Sequence, residues 1–351
     1  MKLSELVRSH SYAKYAAAVL LFMLVIWIDT HIGFFSSRQI NLMIRVIYYG
    51  IVALGFNVLL GYGGQISLGH AAFMGLGAYL TAYLAGNYQL NFLPVLLISG
   101  LIPMFFGTAL GLVALRLERL YLAIATLGLG VTIQQVFQEW TAFTGGFSGV
   151  RVPRPEMFGY VFAHSHHYLL LISLILLAVM ILSYNFARSR TGRALKAMRD
   201  SEYAARSLGI NLVKYKLLAF AASSFYVGIA GSLYAYAERF VHPQIWGVEL
   251  SLDMLAMVVI GGLASIPGSL FGSAFLVLIP QISRTIPLLN RITNINFILT
   301  GLAMIFVIKF MPMGIYNWLE LKIIMPLRNR DVQIEQRHKG LGEDDHDNSG
   351  S

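Results

Sequence analysis

Residues 188–216 read RSRTGRALKAMRDSEYAARSLGINLVKYK and hold eight lysines and arginines against two acids, Asp200 and Glu202. On both sides the chain is nearly uncharged and apolar. A cation at the centre of a bilayer costs roughly 2.5–3.5 kcal/mol on insertion scales, so this stretch belongs in water. Its sign places it on the cytoplasmic face of a membrane. The flanking apolar runs are then transmembrane helices, and the rest of the chain is counted outward from this loop.

Composition agrees. The chain is 57% hydrophobic and only 12% charged, against about 25% charged in soluble domains. The net charge of +9 lies in basic residues between and after apolar runs, which the positive-inside rule explains better than nucleic-acid binding does. With no cysteine in 351 residues, disulfides, thiolate metal sites and cysteine nucleophiles are excluded.

Ten apolar runs are legible: 15–28, 40–60 (interrupted by Arg45), 66–85, 92–115, 120–136, 167–187, 217–237, 250–263, 266–282 and 292–310. No small-x-small cleavage site follows Ile28, so the first run reads as a retained span and not as a signal peptide. The run 250–263 covers about 21 Å as a helix, short of a hydrocarbon core of about 30 Å, and reads as a broken or half-crossing helix. Parity requires counting it. A cytoplasmic start, the basic loop 116–119, the loop 188–216 and a basic C-terminal flank at Lys322, Arg328 and Arg330 share one side only with an even total. The expected fold is an all-α polytopic membrane protein of about ten transmembrane segments. Its parts are a cytoplasmic segment 1–14, a transmembrane domain 15–310 carrying the loop 188–216, and a cytoplasmic tail 311–351. The tail's polar, turn-rich end 331–351 is expected to be disordered. His338 and His346 in that tail are weak metal ligands.

Two glycine-rich segments stand out. Residues 61–80, GYGGQISLGHAAFMGLGAYL, place Gly63, Gly64, Gln65, Ser67 and His70 inside a run that should cross the membrane. Residues 260–275, IGGLASIPGSLFGSAF, echo them with Gly261, Gly262 and Ser265. Small faces allow close helix packing. Broken helices near a substrate path also use glycine, because freed backbone groups there line a cavity. These eight residues are the translocation-path candidates. No Gly-Lys-Ser/Thr follows either segment, so neither is a phosphate-binding loop.

Within the charged loop, Asp200 or Ser201 is a credible N-cap and Gly209 a natural C′ stop. Between them a short helix of about two turns carries Ala204, Ala205 and Leu208 on one apolar face. Such a helix requires a partner protein or an anionic lipid surface. Asp253 near the start of its run is either a functional acid or an interfacial one. Glu238, Arg239, His242 and Glu249 form an outer rim suited to an external protein. His164, His166 and His167 read as an ordinary outer loop in preference to a metal site.

Several of these motifs together resemble the inner-membrane permeases of branched-chain amino acid ABC importers, the high-affinity leucine-isoleucine-valine type. GYGGQISLGHAAFMGLGAY is similar to the family signature. RLERLYLAIATLGLG, TGGFSGV, TGRALKAMRDSEYAARSLGINLVKYKLLAF, SLDMLAMVVIGGLASIPGSLFGSAF and MPMGIY follow in the family's order, over about residues 40–315. The loop and the chain length are more like the M-type subunit than its H-type partner. The resemblance implies a bacterial inner-membrane complex of this chain with a second, H-like permease, two ATPase subunits and a periplasmic amino-acid-binding protein. ATP and Mg would be used by the ATPases, with no cofactor on this chain. It also implies that Glu202, Ala204, Ala205 and Gly209 match the Glu-x-Ala-Ala-x-x-x-Gly coupling loop, with Tyr203 inserted. Arg193, Asp200 and Leu208 complete the ATPase-coupling set. Sister permeases for urea or short amides share these motifs, so the substrate is the less specific part of the reading. An embedded enzyme would need a clustered acid, base, nucleophile or metal set, and neither HExxH nor GxSxG occurs. A secondary transporter would need mid-span acids, for which Asp253 alone is a thin case.

Overall fold

A computed structural model describes residues 19–29, 35–115, 117, 119–285, 295–311, 314–319 and 322. The segment 1–14, Arg116 and Glu118 of the second basic loop, and the tail from residue 323, with its two histidines, lie outside the described residues.

The described chain is built of helices: α1 (Val19–Asp29), α2 (Ser37–Asn57), α3 (His70–Asn87), α4 (Phe92–Ala114), α5 (Arg119–Glu139), the short α6 (Thr141–Thr144), α7 (Ser165–Arg188), α8 (Arg190–Asp200), α9 (Glu202–Ser207), α10 (Leu212–Glu238), α11 (Val248–Gly261), α12 (Ile266–Thr285), α13 (Ile295–Phe310) and α14 (Ile315–Leu319). Six stretches are long and apolar enough to cross a membrane: α2 with its extension to Tyr62, α4, most of α5, α7, α10 and most of α12. Of the remaining apolar helices, α3 has 18 residues and is less apolar, and the others are shorter. The chain is a multi-pass, all-α membrane protein.

Helix α10 is the axis of the bundle, packed on α2, α3 and α4. In lipid, helices gain little from hydrophobic contact with each other, so close approach through small residues does the work. The contacts follow that rule. A Cβ on Gly77 would collide with the backbone of Gly228, and one on Gly231 with the Met74 carbonyl. A Cβ on Gly228 would stand 2.8 Å from Pro103 Cγ. Thr81 and Ser99 hydroxyls meet at 2.9 Å between α3 and α4, each satisfied within the bundle.

Arg45 and Asp29 find partners inside the bundle. Arg45, the interruption in the second run, reaches Glu238 at the far end of α10 at 2.9 Å, and the Tyr48 hydroxyl donates to the same carboxylate at 3.0 Å. Glu238 is thus a structural counter-charge, and it does not pair with Glu249, which stays exposed in the first turn of α11. The same contact orients α2: it starts at the far end of α10 and ends at the loop end. Asp29 of α1 accepts from the Phe35 amide at 2.8 Å and faces His166 of α7 at 3.3 Å. His167 is held instead by the Tyr160 hydroxyl at 2.6 Å. The three histidines are therefore split between partners, and no group of three metal-binding side chains occurs among the described residues.

At the far end a two-residue ladder pairs β1 (Val150–Arg151) with β4 (Phe240–Val241) antiparallel, and a second short pair joins β2 (Glu156–Met157) to β3 (Tyr160–Val161). The Thr144-Gly145-Gly146 turn is locked by Thr144 Oγ1, which donates to the Phe137 carbonyl at 2.6 Å. A polar cavity of about 140 Å³ opens here between Arg45, Arg154, His164, Glu238 and Arg239.

Two expectations need correction, and a third is met. The third run is not helical from residue 66: the helix begins at His70, and residues 63–69 form an irregular bridge. The loop between spans is shorter than 188–216, because Asn211 Oδ1 caps α10 by accepting from the Lys214 amide at 3.0 Å, which draws Lys214 and Lys216 into the helix. The run 250–263 has its expected short length: α11 has 14 residues, about 21 Å. A 3₁₀ turn, Pro243–Trp246, precedes it and is anchored in the bundle by its buried ends, Pro243 and Trp246.

Candidate functional site

Both glycine-rich segments are helix breaks, and they lie side by side at the loop end. The first forms as α2 runs out. Its last turn widens into a π turn, Val58–Tyr62, and the amides of Gly63, Gly64 and Gln65 fold back onto the carbonyls of Val58, Leu60 and Leu59 at 3.2, 2.9 and 3.1 Å. Gly64 adopts φ +64°, open to glycine at little cost. The bridge then threads against α5, with the Leu68 amide donating to Thr126 Oγ1 at 2.9 Å.

His70 closes the bridge. One ring nitrogen lies 2.7 Å from Ser67 Oγ and the other 2.9 Å from Ser223 Oγ on α10. Phe56 and Phe73 present edges to the fully buried ring. A neutral imidazole has one donor and one acceptor, and both are used here. The first free amide of α3, Ala71, donates to Ser251 of α11 at 3.1 Å. Gln65 differs from these neighbours: it is 3% exposed, and neither its amide oxygen nor its nitrogen has a hydrogen-bond partner among the described residues.

The second break is the turn 262–265 between α11 and α12. Gly262 takes φ +131° and Ala264 φ +56°. A left-handed alanine costs of order 1–3 kcal/mol and persists only when its surroundings over-determine it. Two side chains do so. Asn57 Oδ1 accepts from the Ala264 amide at 2.8 Å, and the Tyr62 hydroxyl donates to the Ala264 carbonyl at 3.0 Å. Asn57 Nδ2 also donates to the Ser265 carbonyl at 2.9 Å and to Ser269 Oγ at 2.8 Å. Ser265 Oγ in turn accepts from the Gly268 amide at 3.1 Å, capping α12. Gly261 abuts the Gly268 backbone, so α11 and α12 close into a tight hairpin. The end of α2 thereby staples the two breaks together.

The charged loop docks beneath. α8 buries Ala194, Leu195 and Met198, exposes Arg190, Arg193 and Lys196, and half-buries Arg199. Arg193 Nη1 donates to the Arg188 carbonyl at 2.7 Å, closing the end of α7. Asp200 ends α8, and Ser201 is the cap of α9, its Oγ accepting from the Ala204 amide at 3.2 Å. Glu202 is held by Lys216 at 3.0 Å. At the other end Gly209, at φ +75°, donates to the Arg206 carbonyl and Ile210 to the Ala205 carbonyl, both at 3.0 Å, the paired bonds of a Schellman stop. α9 is fixed at both ends.

The face this helix presents differs from the expected one. Ala205 is 1% exposed and points into the protein, whereas Tyr203 is 87% and Leu208 79% exposed. Ala204 is exposed beside them. The outward surface is therefore Tyr203, Ala204 and Leu208. Asn57, Tyr62, Ser223, Ser251 and Arg199 were not among the sequence candidates. A polar residue inside an apolar run is the signal that picks out Asn57.

Paired helix breaks inside a multi-pass bundle, with a capped exposed helix beside them, suit a membrane transport protein. Residues 39–308 match the family model described as the branched-chain amino acid transport system permease component, and the chain belongs to that family. It is 32% identical over 304 residues to the high-affinity branched-chain amino acid transport system permease protein LivM of Salmonella typhimurium, covering 80% of this chain and 70% of the relative. The Escherichia coli LivM is 31% identical over the same shares. The Escherichia coli LivH is 24% identical over 302 residues, covering 80% of this chain and 95% of that one. The resemblance to the M-type subunit is thus the stronger of the two.

Proposed function

We propose that this chain is the M-type permease subunit of an ATP-driven importer that moves branched-chain amino acids across a bacterial inner membrane by alternating access. Its partners are an H-like permease, two ATPase subunits that bind and hydrolyse ATP with Mg, and a periplasmic binding protein that selects the substrate. The observation that carries the reading is α9: a helix capped at both ends, joined to the bundle through Ala205 and the Glu202–Lys216 pair, and presenting Tyr203 and Leu208 to water. An apolar face held rigid in this way fits an ATPase groove.

Ten apolar helices in the described chain, with α8, α9 and α14 at one end of the bundle, favour ten membrane segments and cytoplasmic termini. Of the six long spans α5 is the least buried, and its exposed side carries Gly128, Thr132 and Gln135 among the larger apolar Tyr121, Ile124 and Val131. The small and polar positions suit contact with the second permease. The first break is the part of the path this chain contributes, and Gln65 is its substrate-facing polar group. A buried amide without partners costs about 1–3 kcal/mol, which is a reason for it to persist only where it has another task. Gln65→Leu is expected to raise thermal stability in detergent while lowering leucine uptake severalfold. A stable variant with normal uptake would remove Gln65 from the path.

The whole reading is tested by assembling the five-part complex in proteoliposomes with binding protein outside and ATP inside. ATP-dependent accumulation of leucine, isoleucine and valine is expected. Accumulation of urea or acetamide instead would keep the architecture and change the substrate.

A further inference from the structure

We infer that Arg199 is the positioning residue that ties movement of α8 and α9 to the first helix break. The inference rests on the coupling role of α9 argued above. Arg199 is the penultimate residue of α8, and its guanidinium serves two masters. Nε and Nη2 lie 3.2 and 3.1 Å from Asp200 Oδ1, while Nη1 donates to the Gly61 carbonyl at 2.8 Å. That carbonyl belongs to the last turn before the break, where helix carbonyls lose their intrahelical partners. The Arg199 methylenes lie against Gly64: a Cβ there would stand 2.7 Å from Arg199 Cγ. One turn earlier, Lys196 Nζ stands 5.2 Å from the centre of the Tyr62 ring, and the Tyr62 hydroxyl continues to the Ala264 carbonyl of the second break. α8 therefore grips the entrance of the bridge.

The exit is gripped separately. Lys216 binds Glu202 of α9 at the start of α10, and two turns further along the same helix Ser223 holds His70, which holds Ser67. Residues 63–69 are thus tied at their start to the helix before α9 and at their end to the helix after it. The bridge is glycine-rich and irregular, so it is the segment able to change shape when α8 and α10 shift relative to each other. A planar fork can hold the carboxylate and the carbonyl together, whereas a lysine ammonium offers a point charge without that fixed geometry.

The test uses the full complex in proteoliposomes, with ATP hydrolysis and leucine uptake measured on the same vesicles for wild type, Arg199→Ala and Arg199→Lys. The lysine variant keeps the charge and the methylenes on Gly64, so it reports on the fork even where the alanine variant does not assemble. Expected is hydrolysis stimulated by binding protein within about twofold of wild type, with uptake per ATP lowered about tenfold. Unchanged uptake per ATP in Arg199→Lys overturns the inference. So does a parallel fall of both activities, or failure of Arg199→Lys to assemble, since either places Arg199 in docking or folding. Wild-type vesicles that hydrolyse ATP without accumulating any substrate would overturn the coupling reading itself.

Discussion

Replacing Tyr203 and Leu208 together with serine is expected to abolish ATP-driven uptake while the permease remains folded in the membrane. Both side chains are more than three-quarters exposed, and exposed substitutions of this kind usually change stability by no more than about 0.5 kcal/mol. The backbone contacts that hold α9 do not pass through either side chain: the Ser201 cap, the Gly209 stop and the Glu202–Lys216 pair stay in place. A central apolar contact in an interface is worth about 2 kcal/mol or more, which is roughly thirtyfold in affinity. Co-purification of the ATPase subunits with the tagged permease should drop by that order, and uptake with it. Thermal unfolding of the isolated permease in detergent should not move. Retention of both ATPase and uptake would show that the outward face of α9 is not the docking face. Ala205 is the contrasting position. The sequence stripe placed it with Leu208, but a larger residue there would meet the protein interior, so its variants should report as folding defects.

The second large effect is structural. Gly77→Leu is expected to remove most assembled permease from the membrane fraction. The Gly77 position faces the Gly228 backbone, with Gly228 C and Cα each 2.9 Å from where a Cβ would sit. Gly228 is itself pressed against Ser99 and Pro103 of α4, so α10 has no room to retreat. Overpacking a tight site costs about 1–3 kcal/mol and often more when backbone must move. Here the obstacle is backbone on both sides. Gly86→Leu is the matched control in the same helix, because no atom lies within 4 Å of its added Cβ. Detergent-solubilised yield and a monodisperse gel-filtration peak should survive the second change and fail with the first. Equal yields would mean that α3 and α10 are not in contact at these glycines.

Much of the architecture was legible because bilayer physics is severe. Eight cations in residues 188–216 favour water, and the apolar runs on either side favour helix, so the multi-pass helical class followed from hydropathy and charge alone. A cap at Asp200 or Ser201 and a stop at Gly209 were readable because capping depends on residues adjacent in the chain, and the cap is Ser201. Helix starts were less legible. The third run remains apolar through residues 66–69, and nothing local announces that Ser67 will turn to His70 and Thr126 will take the Leu68 amide. α8 was also missed as a separate helix, since its pattern is charged at the surface and apolar only where the bundle receives it.

By itself, the sequence determined the class of protein, the loop that faces the cytoplasm in the proposed topology, the two glycine-rich segments and the resemblance to the family. Each of these rests on local composition, local spacing or a contiguous motif. Tertiary structure alone decided that the breaks are neighbours, because Asn57 joins partners more than 200 positions away, Ala264, Ser265 and Ser269. It alone turned Ala205 inward and Leu208 outward, since a two-turn helix has no intrinsic inside until the bundle supplies one. And it alone brought Arg199 to the Gly61 carbonyl, a pairing set by how the helices cross and not by the order of residues along the chain.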